Sequence, residues 1–169
     1  MSILRRALAW TVPATAVGLA AALLLAGSAQ AGPGFQDVRQ ATVAFHDVAA
    51  ANDAGYFDNA LPCFTSDAGG MGEHLINGDL LFDGGALDAL HPEALVYQVR
   101  RNGSWRFVGV EYAVPFTDAP ADGPAPALFG QDFSQNTDLG LWTLHAWIWQ
   151  GNPVGILQTW NPALDSCRG

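Results

Sequence analysis

The 169-residue sequence has no lysine, and its seven positive side chains are all arginine. Set against 16 acidic residues they leave a formal charge of −9, which repels nucleic acid and anionic membranes and speaks against both as partners. No phosphate loop or dinucleotide glycine pattern follows a candidate strand, and Ser66, Ser104, Ser134 and Ser166 stand in no Gly-x-Ser-x-Gly elbow. Nucleotide-dependent and serine-hydrolase chemistries are thereby set aside. His-x-Glu-x-x-His is also missing, and Asn77-Gly78-Asp79 with Asp83-Gly84 lacks the spacing and closing glutamate of an EF-hand loop. Only two cysteines occur, Cys63 and Cys167, neither with a second cysteine or a histidine close by. In an exported chain that count favours one Cys63–Cys167 disulfide, closing a loop of about 100 residues and contributing on the order of 4 kcal/mol. A thiol pair holding metal is the lesser reading.

Residues 1–31 read as a signal peptide. Arg5 and Arg6 open it, an apolar run through Val17 to Leu25 follows, and Ala29-Gln30-Ala31 supplies the small-x-small cleavage pattern. The arginine pair leaves Sec and twin-arginine export both open. Cleavage after Ala31 leaves residues 32–169 as a single secreted domain with five arginines against the 16 acidic residues. No membrane attachment is expected once the leader is gone.

Within that domain Phe35, Val38, Thr42, Phe45, Ala49 and Asn52 recur at helical spacing and predict one amphipathic helix over 36–54, with Gly55 at the left-handed C-terminal position. Gly69 to Gly72 reads as loop and Glu73 to Ile76 as a short strand. Ala94 to Arg101 and Ser104 to Val114 flank Asn102-Gly103, which predicts a hairpin with a two-residue turn. Arg101 then opposes Ser104, and Ala94 opposes Glu111. Leu95, Tyr97 and Val99 share the core face with Val108, Val110, Tyr112 and Val114. Glu111 falls on the other face, with Val96, Gln98, Trp105, Phe107 and Gly109. A second strand over 141–149 is apolar on both sides, placing His145 with Leu141, Thr143, Trp147 and Trp149. Asn152-Pro153 and Asn161-Pro162 are helix-start signals, and a short C-terminal helical turn is expected near 153–159. The predicted fold class is α+β: an N-terminal amphipathic helix packed on a curved antiparallel sheet or small barrel.

His145 sits in Trp142-Thr143-Leu144-His145-Ala146-Trp147-Ile148-Trp149, where a buried imidazole needs a donor, an acceptor or a metal. Glu111 faces an apolar surface and also needs a partner. His74 follows Gly70-Met71-Gly72, whose glycines allow tight backbone approach. Convergence of His74, Glu111 and His145 would make a divalent-metal site for zinc, copper or iron, with Trp105 and Trp147 excluding solvent. Met71 would add a soft sulfur suited to copper, or simply pack. A structural His/Glu network and a metal-free acid–base pair stay open beside this, as does pairing of Glu111 with Arg100 or Arg106. His46 reads as a partly exposed helix residue, and His91, before Pro92, as exposed.

In Gly70-Met71-Gly72-Glu73-His74, Pro92-Glu93-Ala94-Leu95-Val96-Tyr97, Gly109-Val110-Glu111-Tyr112, Leu144-His145-Ala146-Trp147 and Asn152-Pro153-Val154-Gly155 the chain resembles a family of small secreted bacterial proteins of unknown function. The resemblance spans about residues 36–167 and implies no activity. The His/Glu/His set also resembles the way cupins hold a metal, although the cupin His-x-His pair is missing, so the likeness is one of site and not of fold. The function expected from these readings is a secreted protein holding one divalent metal in a tryptophan-lined pocket, acting on a small, partly apolar molecule if it is an enzyme. The alternative is a non-catalytic binder of an apolar small ligand.

Overall fold

Alternation of β-branched and aromatic residues either side of Asn102-Gly103 gives the two strands at the centre of the sheet. A computed structural model of the chain describes residues 32–58 and 63–164, all within one compact unit, Ala31–Gly169. The expected signal peptide and Cys167 lie outside the described residues, and the Cys63–Cys167 pairing with them.

The strands are β1 (Phe57–Asp58), β2 (Phe64–Ser66), β3 (Gly69–Ile76), β4 (Ala94–Val99), β5 (Trp105–Pro115), β6 (Ala127–Leu128), β7 (Gln131–Asp132), β8 (Ser134–Asn136) and β9 (Leu141–Ala146). Six form a curled antiparallel half-barrel in the order β1-β3-β4-β5-β9-β8, while β2 pairs with a second stretch of β3 and β6 pairs with β7. β3 is twice as long as the sequence suggested, because the glycines at 69, 70 and 72 do not end it. Gly72, at φ +84°, lies so close to β4 that a Cβ would stand 2.7 Å from the Tyr97 carbonyl oxygen, so glycine here lets the strand continue.

The hairpin reaches the predicted register by a different route. The turn holds three residues, Arg101 to Gly103: Arg100 N–H donates to Ser104 O, and Gly103 takes φ +80°. That would slip the ladder by one, but a bulge in β5 opposite Val96/Tyr97 inserts an extra residue and restores it, so Ala94 does oppose Glu111. Between turn and bulge the faces are exchanged relative to expectation. Phe107 joins Tyr97 in the main core, whereas Val108 joins Val96, Trp147 and Leu164 in a smaller cluster on the other face.

Residues 36–54 are helical but not one helix. α1 (Phe35–Thr42) passes into a 3₁₀ turn (Val43–His46), and α2 (Val48–Asp53) starts afresh. Asp47 causes the break: its backbone is extended and its carboxylate accepts from Ala49 N–H, an N-cap where the periodicity called for continuation. Gly55 takes φ +91°, with Tyr56 N–H reaching Ala51 O in the expected left-handed ending. α3 (Gly78–Leu81) is a single turn capped by Asn77. Val38 and Ala51 belong to the same buried cluster as Leu95, Tyr97, Val110, Tyr112 and Leu144. None of the described helices is long and apolar enough to cross a membrane.

The expected C-terminal helical turn is replaced by β-turns. Asn152 and Asn161 each cap the residue two positions on, but the chain then reverses, with Gly155 at φ +136°. β9 likewise ends at Ala146 rather than at Trp149, where Ile148 N–H turns back to Ala146 O. Trp149 consequently leaves the His145 face and packs against Phe107, 6.1 Å between ring centroids.

Candidate metal centre

Three adjacent pairings carry the site. His74 on β3 opposes Val96 on β4, Val96 opposes Gly109 on β5, and Glu111, two residues beyond, opposes His145 on β9. Opposed residues of an antiparallel pair project to one side, so all three functional side chains rise from one face. Gly109 is required for this arrangement: a Cβ there would lie 2.7 Å from Ala146 O, where the chain leaving β9 folds over the strand.

The donor atoms crowd together. His74 Nε2 is 3.2 Å from His145 Nε2 and 3.3 Å from Glu111 Oε2, and one donor from each residue lies within 4.8 Å of the others. Ligands held about 2.0–2.1 Å from one tetrahedral ion stand about 3.3 Å apart, so the two measured edges match a shared metal. His145 Nδ1 is 3.3 Å from Glu111 Oε1 but without hydrogen-bond geometry, which leaves this buried nitrogen unpartnered among the described residues. Two facing Nε2 atoms can share only one N–H, and a carboxylate cannot donate unless protonated.

Burial dominates the electrostatics. It lowers His74 to about 4, and it lowers His145 well below the ordinary value with help from neighbouring His74. Glu111 is raised to about 8 by burial, against a hydrogen bond from Thr143 and with repulsion from Glu93. Metal-free, the site therefore holds two neutral imidazoles and a protonated carboxyl near neutrality, a set that a divalent cation would convert to its ligating form by displacing one proton.

An inner cavity of about 30 Å³ touches His74 and Glu111 and is otherwise walled largely by apolar groups, among them Phe64, Met71, Leu81 and Leu141. At about 10–15 Å³ per water it has room for two waters or a molecule of similar size. Glu93 also lines it, nearly fully buried, accepting from Ala113 N–H at 3.0 Å and raised to about 7 chiefly by burial. Glu93 went unrecognised in the sequence because it precedes its strand and has no periodic signal. Strand alternation predicts the face of Thr143 but carries no signal for its hydrogen bond to Glu111.

Of the two tryptophans expected at the site, Trp147 lies there. Its ring stacks on His145 with centroids 5.4 Å apart, and its Nε1 donates to Gln158 O at 2.6 Å. Trp105 does not: the three-residue turn shifts it to the core side, against Tyr97 at 5.7 Å. Met71 lines the cavity. Arg106 donates to Gln98 instead of Glu111. His46 is exposed, edge-on to Trp149, and exposed His91 pairs with Asp88 at 2.8 Å. The described residues thus contain one cluster close enough to bind a metal, and it consists of His74, Glu111 and His145. Comparison of the chain with protein-family models, curated proteins and solved structures gives no match.

Proposed function

We propose that this is an extracytoplasmic protein that binds one divalent transition metal, zinc, copper or iron, through His74, Glu111 and His145. The observation that carries the reading is the 3.2–3.3 Å spacing of donors from β3, β5 and β9 in a largely buried place, where His145 Nδ1 has no hydrogen-bond partner among the described residues. Two imidazoles and a carboxylate leave coordination positions for water or substrate, and a metal so held supplies Lewis acidity or redox chemistry. The chain's own groups would hold the ion, exclude bulk water through Trp147 and Met71, and offer Glu93 as a second carboxyl within the cavity. The cavity's size restricts what reaches the ion to molecules of a few atoms or to one end of a larger one.

Metal analysis of protein purified without an affinity tag tests this. Near-stoichiometric metal in the wild type, abolished by His74→Ala and by His145→Ala, is the expected result; folded wild type that takes up none after dialysis against zinc, copper and iron overturns it. The apolar walls of the inner cavity favour a second reading, a non-catalytic binder of a small apolar ligand. Binding of such a ligand that persists in both histidine variants would select it.

A further inference from the structure

Two clefts outside the inner cavity share one tryptophan. The first, about 400 Å³, adjoins the cavity, and Phe64, Met71 and Asn136 line both. The second, about 410 Å³, shares Thr159 and Trp160 with the first as lining residues. Each falls within the roughly 300–1,000 Å³ typical of small-molecule sites, which the inner cavity does not. Their polar walls are mostly neutral hydroxyl and amide groups: Ser134, Asn136 and Thr137 in the first, Gln158 in the second, and Thr159 between them. Among the described residues no arginine or histidine lines either cleft, and one aspartate stands in each, Asp138 and Asp67.

That chemistry selects its ligand. An anionic ligand would meet no counter-charge and two carboxylates. An apolar one would strip water from the hydroxyls and amides without replacing its hydrogen bonds. A sugar ring answers both requirements, because its hydroxyls pair with Ser, Thr, Asn and Gln while its C–H face lies on an indole. We propose that the two clefts form a binding site for a neutral saccharide chain, with Trp160 as the platform between successive units and one end of the chain directed past Met71 toward the inner cavity. The site stands on the clefts alone and needs no metal.

Calorimetric titration of the full chain with hexaoses of β-1,4-linked glucose, xylose and N-acetylglucosamine, and with hexa-arginine as the charged competitor, tests it. At least one hexaose should bind, with or without zinc; Trp160→Ala should weaken it about tenfold or more, and His74→Ala should leave it unchanged. Trp160→Phe should keep part of the affinity and Gln158→Ala should lose part, which preserves the test should Trp160→Ala fail to fold. Absence of binding by all three hexaoses, binding of hexa-arginine alone, or hexaose affinity indifferent to both Trp160→Phe and Gln158→Ala would each overturn the proposal. Because His74→Ala is expected to be silent here, failure of the saccharide site and failure of the metal centre read out separately.

Discussion

On one face of the central strands, Tyr97 Oη donates to Phe45 O and Tyr112 Oη to Ala89 O, so these two hydroxyls among Leu95, Val110 and Leu144 reach backbone acceptors. On the opposite face of the same strands, His74, Glu111 and His145 are buried almost as deeply and have chiefly one another, with one ring nitrogen lacking a partner among the described residues. The first face pairs its tyrosine hydroxyls, although Trp149 Nε1, packed against it, has no partner among the described residues; the second gathers two imidazoles and a carboxyl where folding gains nothing from doing so. Such a difference between two faces built by the same backbone marks the second as a place kept for a ligand.

Substitutions should separate the faces sharply. His74→Leu or His145→Leu is expected to remove bound metal altogether, and with it the stabilisation that a saturating metal gives, about 2.7 kcal/mol at a hundredfold excess over Kd. Elemental analysis with thermal melts in and out of chelator would check this. Tyr97→Phe should act the opposite way. It leaves metal content unchanged but strands the Phe45 carbonyl, costing about 1–3 kcal/mol in urea unfolding, whereas the double change His74→Leu with His145→Leu should leave the metal-free protein equal in stability or firmer.

Acidity offers a further contrast. A depressed histidine contributes stability that is present above its unfolded value near 6.5 and lost as pH falls toward the folded value, about 4 for His74. The raised carboxyls run in reverse: what Glu93 and Glu111 contribute is present below 4.5 and lost as pH rises through about 7 and about 8. Metal-free protein should therefore weaken between roughly pH 6.5 and 8 in denaturant titrations, and added metal should reverse that weakening by holding Glu111 ionised. An alkaline decline that metal does not touch would remove Glu111 from the account. The smallest effect is expected at the tryptophans. Trp147→Phe, which loses the bond to Gln158 and part of the stack on His145, should weaken metal binding by up to about tenfold, and Trp105→Phe should not change it.

The shared face of Thr143 and His145 is legible in the sequence from strand alternation, whereas the pairing of Ala94 with Glu111 agrees with the expected register because two departures from the expected hairpin cancel. Neither departure is legible there. A three-residue turn and a bulge cancel at Glu111 but exchange Phe107 with Val108 between them, and Trp105 goes to the core for the same reason. Asp47 interrupting a helical period and Gly155 ending a helix-start signal are cases of local capping and backbone geometry prevailing over pattern. Glu93 illustrates a different limit. Its burial comes from the cavity wall it completes, a tertiary circumstance that no spacing encodes.

Crystals grown with zinc and measured on both sides of its absorption edge test the central claim most directly. A single strong anomalous peak about 2.0–2.1 Å from His74 Nε2, His145 Nε2 and a Glu111 oxygen is the predicted result. Density that shows the three side chains still in contact with one another, with zinc elsewhere or absent, would contradict it.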